Sequence, residues 1–221
     1  MAALIIPNSH VVIKNVGINY TRSGIVDVVK RMGGNIEILN ETTISNEKTG
    51  DLKIKYSKLK GTEISKDIIP RLIDEIPIIA VLASLAKGTT IIKDAQDLRN
   101  KESDRIKTVA TELKKIGANI EETPDGLIIE GKKSLNGNAE INTYHDHRLA
   151  MSFYIAGLIC EKEIAIKDFI NTIIEEVLNS EGPCICEVIV NPNQNFEQGE
   201  GYQFRLDLRE CRRAGIKGAR F

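Results

Sequence analysis

Three polar clusters in this 221-residue chain hold residue types that bind anions and move protons. Residues 71–77 read RLIDEIP. Asp74 and Glu75 stand where an apolar stretch begins. There they would cap a helix, since free N–H groups and the positive end of the dipole favour acids, or Asp74 would face a ligand hydroxyl. Residues 97–105 read DLRNKESDR. Lys101 and Arg105 are four apart and would share a helix face. Such a pair suits phosphate or carboxylate, with arginine offering a bidentate grip. Glu102 would project elsewhere unless the helix begins after it; placed on a ligand, it could transfer a proton. The bland alternative is a solvated helix start with ordinary ion pairs. Residues 142–151 read NTYHDHRLAM. Arg148, at the head of an apolar helix, suits an anion held jointly with the helix N–H groups. His145 and His147 flank Asp146, but His-x-His supplies two ligands at most and a metal site needs three or more. No metal and no cofactor are expected.

Other chemistries lack their signatures. There is no G-x-G-x-x-G or GxxxxGK[ST] run after a strand, and no G-x-S-x-G. Thirty basic residues against 31 acidic ones leave a net charge of -1, so no bulk field draws nucleic acid or an acidic membrane. Apolar runs such as 76–86 are too short to span a bilayer. The start, MAALIIPNSHVV, has no basic n-region and reaches Pro7 early, unlike a signal peptide. The four cysteines, Cys160, Cys184, Cys186 and Cys211, form no CxxC pair or disulfide ladder. A reducing, cytoplasmic location is expected.

The elements that must position these clusters repeat. VVIKNV at 11–16 returns as TIIKDA at 90–95, GGNIE at 33–37 as GANIE at 117–121, and a third start, IAIKD, lies at 164–168. A period of 75 to 84 residues suits a compact α+β unit used several times. Alternation and turn residues predict strands at 11–16, 35–39, 52–56, 63–65, 89–93, 119–122, 127–130 and 139–142, with a polar turn at 46–50. Three- and four-residue apolar spacing predicts helices at 24–32, 74–85, 103–116 and 146–159, with Gly117 a stop and Pro77 in a first turn. Each unit reads β-α-β-β-β-α. Helices would cover one side of a sheet, or several sheets would surround a shared helical core. A helix at 169–178, a strand at 184–190 and a polar, then basic, end follow; that end is read as frayed or foreign rather than as an RNA-binding arm.

DEIP at 74–77, LRNKESDR at 98–105, the PDGLIIEG hairpin at 124–131 and YHDHRLAM at 144–151 together resemble the 5-enolpyruvylshikimate-3-phosphate synthase family. The resemblance covers residues 1–168. It implies an α+β fold of repeated βαβαββ units and transfer of the enolpyruvyl group of phosphoenolpyruvate to the 5-hydroxyl of shikimate 3-phosphate, with release of phosphate. It implies that Asp74 contacts and helps deprotonate that hydroxyl and that Glu102 handles the proton at the phosphoenolpyruvate methylene. Lys101 would stand beside the reacting hydroxyl and phosphate. Arg105 and Arg148 would clamp phosphoenolpyruvate, with His147 supporting Arg148 and Asp97 among the substrate-binding residues.

That family is roughly twice this long and closes two similar domains over its substrates, so the resemblance also implies an incomplete domain here and a missing first domain as partner. Residues 169–198 instead resemble the C-terminal end of thiamine-diphosphate enzymes, which places a junction near Asp168 and a divergent segment at 169–221. Competing readings are a non-catalytic fragment or chimeric partial binding module, and a relative of UDP-N-acetylglucosamine enolpyruvyl transferase. The latter uses a catalytic cysteine from another region, whereas Cys160 here is read as lying deep in an apolar helix.

Overall fold

The chain divides into two units, Met1–Glu176 and Val177–Phe221. The computed structural model describes residues 1–167, all in the first. The helix at 169–178, the strand at 184–190, the likeness of 169–198 and the basic end lie outside the described residues.

The fold is α+β, with helices and strands alternating along the chain. After a short helix, α1 (Ala2–Ile5), the first sheet joins β1 (His10–Gly17), β2 (Asn35–Ile44) and β3 (Glu47–Lys55) in the order β1-β3-β2, both pairings antiparallel. Helix α2 (Gly24–Arg31) lies between β1 and β2 in the chain and buries Val26, Val28 and Val29. The β2–β3 turn is tighter than the 46–50 expected. Ser45 and Asn46 both take positive φ, 51° and 65°, as a two-residue hairpin turn matching the strand twist requires, and pairing resumes at Glu47.

The second sheet is β4-β5-β7-β6, built from β4 (Glu63–Ile64), β5 (Thr89–Ile92), β6 (Asn119–Thr123) and β7 (Gly126–Glu130). β4 runs parallel to β5, with helix α3 (Ile76–Ala83) in the crossover between them. Gly126 starts β7 against β5, where an added Cβ would collide with the Ile92 carbonyl oxygen; only glycine allows that approach. The third sheet pairs β8 (Ala139–Ile141) in parallel with β9 (Ile164–Ile166), across helix α5 (His147–Gly157).

Of the two layouts the pattern allowed, separate sheets around a helical core is the one found. α3, IPIIAVLA, is apolar all round and buries every residue but Ile78, as such a helix must. It packs against α5, α4 (Arg105–Lys115) and β7. α4 stops just before Gly117, whose φ of +93° is the left-handed stop its type suggested. Two helix starts differ from expectation. α3 begins at Ile76, after a 3-10 turn Ile73–Glu75, and α4 begins at Arg105, capped by Asp104. Cys160 follows α5 instead of lying within it, half-buried in an isolated bridge with Leu135. Among the described residues no helix is long and apolar enough to cross a membrane.

Candidate functional site

The N-terminal ends of α3, α4 and α5 carry the three polar clusters, and the side chains there interlock. Arg105, the first residue of α4, is at their centre with 1% of its side chain exposed. Its Nε–H donates to Asp146 Oδ2 at 2.7 Å and Nη2 donates to Asp146 Oδ1 at 3.2 Å, a bidentate grip. Nη1 donates to Asp74 Oδ1 at 2.9 Å, and Nη2 also to Glu102 Oε2 at 2.6 Å. One guanidinium thus gathers three carboxylates, one from the approach to each helix. Burial alone would lower its pKa, but the Asp146 hydrogen bond and the charges of Asp146, Glu102 and Asp74 outweigh that and raise it.

Asp74 does not cap α3. It lies in the 3-10 turn, one residue before the N-cap Glu75, which makes no side-chain capping bond. Its Oδ1 meets Lys101 Nζ at 3.1 Å as well as Arg105. Burial pushes the Asp74 carboxyl up; the Lys101 hydrogen bond and the Arg148, Lys101 and Arg105 charges pull it further down, so it stays below the ordinary carboxylate value. Glu102 reaches Arg105 because the helix starts after it, the condition its spacing required. Arg148 Nη1 holds Glu75 Oε1 at 3.2 Å and the Asp74 carbonyl oxygen at 3.4 Å. Among the described residues nothing accepts from its Nε or Nη2, and a third of the side chain is exposed. Lys101 is similarly open, at 31%. Two solvent-reachable cations, Lys101 and Arg148, and three partly exposed carboxylates, Asp74, Glu75 and Glu102, are therefore gathered at these helix starts. Such a place can hold a multiply charged anion and hold protons near it.

The 97–105 cluster splits by role. Arg99 and Asp104 are structural: Arg99 ties the β6–β7 hairpin to the cap of α4 through Pro124, Thr123, Glu122 and Asp104, while Asp104 accepts the Lys107 N–H. Lys101, Glu102 and Arg105 belong to the site. Asp97 is exposed on a 3-10 turn (Gln96–Asn100), and no hydrogen bond or ion pair joins it to the site. His147 opens α5 beside Arg148 and is half-buried. Among the described residues no three His, Cys, Asp or Glu side chains group as metal ligands.

Sequence reasoning passed over Asp146. It is fully buried, holds Arg105 and accepts the Arg148 and Leu149 N–H groups, capping α5. The signal was present, since an Asp directly before an apolar helix is a capping pattern; its second task as counter-ion is a tertiary fact. Glu112, also fully buried, carried no signal, being one charge in an amphipathic helix.

The chain is thus an α+β protein with a charged site at converging helix ends. The family model described as EPSP synthase (3-phosphoshikimate 1-carboxyvinyltransferase) matches residues 1–174, and the chain belongs to that family. The 3-phosphoshikimate 1-carboxyvinyltransferases of Thermoanaerobacter pseudethanolicus and Bacillus licheniformis are 57% and 58% identical over 168 and 165 residues, 76% and 75% of this chain. The chain spans only about 40% of the length of these relatives. The solved EPSP synthase of Acinetobacter baumannii superposes with a TM-score of 0.73 at 38% identity, covering 79% of this chain and 43% of that one. The enolpyruvyl transferase NikO of Streptomyces tendae, at 16% identity and a TM-score of 0.57, shares the fold.

Proposed function

We propose that this chain carries the phosphoenolpyruvate side of an enolpyruvyl transfer to the 5-hydroxyl of shikimate 3-phosphate. The observation that carries the reading is the convergence of Asp74, Lys101, Glu102, Arg105 and Arg148 in a chain of this family. Arg148 and Lys101, with donors to spare, receive the carboxylate and phosphate groups. Arg105 joins them when an anion displaces Glu102, the most exposed of its partners at 48%. Glu102, so released, exchanges the proton at the methylene carbon. The depressed pKa of Asp74 favours orienting the hydroxyl by accepting its hydrogen bond over taking its proton outright. His147 supports Arg148, and Asp97 contributes only if substrate binding draws it in. Burial pushes the Cys160 thiol up to about 11, unsuited to the cysteine chemistry of the nucleotide-sugar relative.

We infer further that the fold is a slice of repeated βαβαββ units. Elements β4-α3-β5-α4-β6-β7 have the order of one whole unit, with part units on either side. What supports a partner is the first sheet. Val11 and Ile13 of β1 are 42% and 44% exposed, while their repeat equivalents Thr90 and Ile92 of β5 are buried at 0% and 1%. β5 has β4 on its outer edge; among the described residues β1 has no strand there. A polypeptide supplying the rest of the family's length would cover β1 and add to the contacts that Lys101 and Arg148 offer an anion.

The test is phosphate release from phosphoenolpyruvate and shikimate 3-phosphate, with and without the remaining part of a relative supplied separately. Activity only in the mixture is expected. No activity in either case from a chain folded by circular dichroism supports instead the second reading, a non-catalytic fragment, which the 40% coverage favours.

A further inference from the structure

Helix α4 grips the segment leading into α5 at two points. Arg105 holds both oxygens of Asp146 at one. Glu112 holds the other. Its Oε1 accepts from the Tyr144 hydroxyl at 2.9 Å, and its Oε2 accepts from the Asn142 backbone N–H at 3.0 Å and from Lys115 Nζ at 2.7 Å. Seven residues are close to two turns, so Arg105 and Glu112 lie on one stripe, about 10 Å apart along the axis. The Glu112 side chain is fully buried, and a carboxylate is seldom found there without a partner that repays its desolvation.

Between the grips the backbone is strained. Tyr144 and His145 are consecutive non-glycine residues at φ 54° and 57°, a region costing on the order of 1–3 kcal/mol per residue and kept only where surroundings over-determine it. The Asp146 N–H closes the turn on the Thr143 carbonyl at 2.9 Å. We propose that Glu112 and Tyr144 are positioning residues, holding the 142–145 turn so that Asp146 locks Arg105 and caps α5, which in turn aims Arg148. The proposal rests on the reading of that site as an anion site, and neither residue is itself required to touch the anion.

Tyr144→Phe removes one hydroxyl from a ring that is 36% exposed, so the fold is retained; Glu112→Gln keeps one carbonyl oxygen and the side-chain shape. The 15N-labelled 221-residue chain reports the Arg105 Nε–H resonance, assigned by its loss in Arg105→Lys. In Tyr144→Phe this resonance is expected to shift, with solvent exchange about tenfold faster, and phosphoenolpyruvate to bind about three- to tenfold more weakly, the scale of one ordinary hydrogen bond. Glu112→Gln should move the resonance in the same direction. Val26→Ala on α2, which lowers stability without touching the turn, should leave it in place. An unmoved resonance in Tyr144→Phe, or an equal shift in Val26→Ala, overturns the proposal. If the unaltered chain binds no phosphoenolpyruvate, the anion-site reading fails, and the resonance alone still decides whether Glu112 and Tyr144 position Arg105.

Discussion

Arg105 and Asp146 form the ion pair on which the site depends, and their burial makes them unequal to the pairs around them. Removing Asp146 takes from Arg105 the one of its three carboxylate partners that is itself buried, and breaking a buried pair costs about 3–5 kcal/mol. Asp146→Ala is therefore expected to lower unfolding free energy by about that amount in urea titration. Glu102→Ala removes an exposed partner of the same arginine and should cost under about 1 kcal/mol; equal losses would contradict the burial difference. Asp74 gives a pH test. Its folded-state pKa is depressed, so the unfolded chain binds the proton more readily in the window below the ordinary carboxylate value. The stabilisation is present above that value and is lost as pH falls through the folded one. In a carboxyl NMR titration, Lys101→Ala should move the Asp74 midpoint upward, because it removes the strongest of the groups holding the carboxylate charged.

At the scale of elements, the site depends on where α3, α4 and α5 begin. Most elements were legible in the pattern, because apolar spacing of 3.6 or 2 reflects which face is buried. The starts of α3 and α4 were not. A 3-10 turn and a capping residue are decided by which backbone N–H groups find acceptors, and Asp74 was free to leave its capping role only because Lys101 and Arg105 stood across from it. Two elements are testable by size. Leu82→Ala in α3, a fully buried side chain, should cost about 2–5 kcal/mol by leaving a cavity. Gly126→Ala should destabilise through collision with the Ile92 carbonyl, whereas alanine at Gly17, with nothing within 4 Å of its added Cβ, should not. Both are read by thermal or urea unfolding.

For the whole molecule, the contrast between the first two sheets matters most. The corresponding strands at 11–16 and 90–95 share two of six residues and differ in burial; among the described residues the outer edge of β5 is paired and that of β1 is not. An exposed apolar edge invites association. Val12→Lys is thus expected to reduce self-association in sedimentation velocity while changing unfolding free energy by under about 0.5 kcal/mol; unchanged association would show that the edge is already protected. By itself the sequence determined the α+β class, most helices and strands among the described residues, and the family, because periodicity and motif spacing are local properties of the chain. Only the tertiary structure decided that Arg105 is buried among three carboxylates and that Asp146 and Glu112 are the groups holding the loop. It also showed that Arg99 and Asp104 brace the hairpin while their neighbours form the site. Most of those contacts join residues 23 to 41 positions apart, and pattern along a chain does not contain such distances.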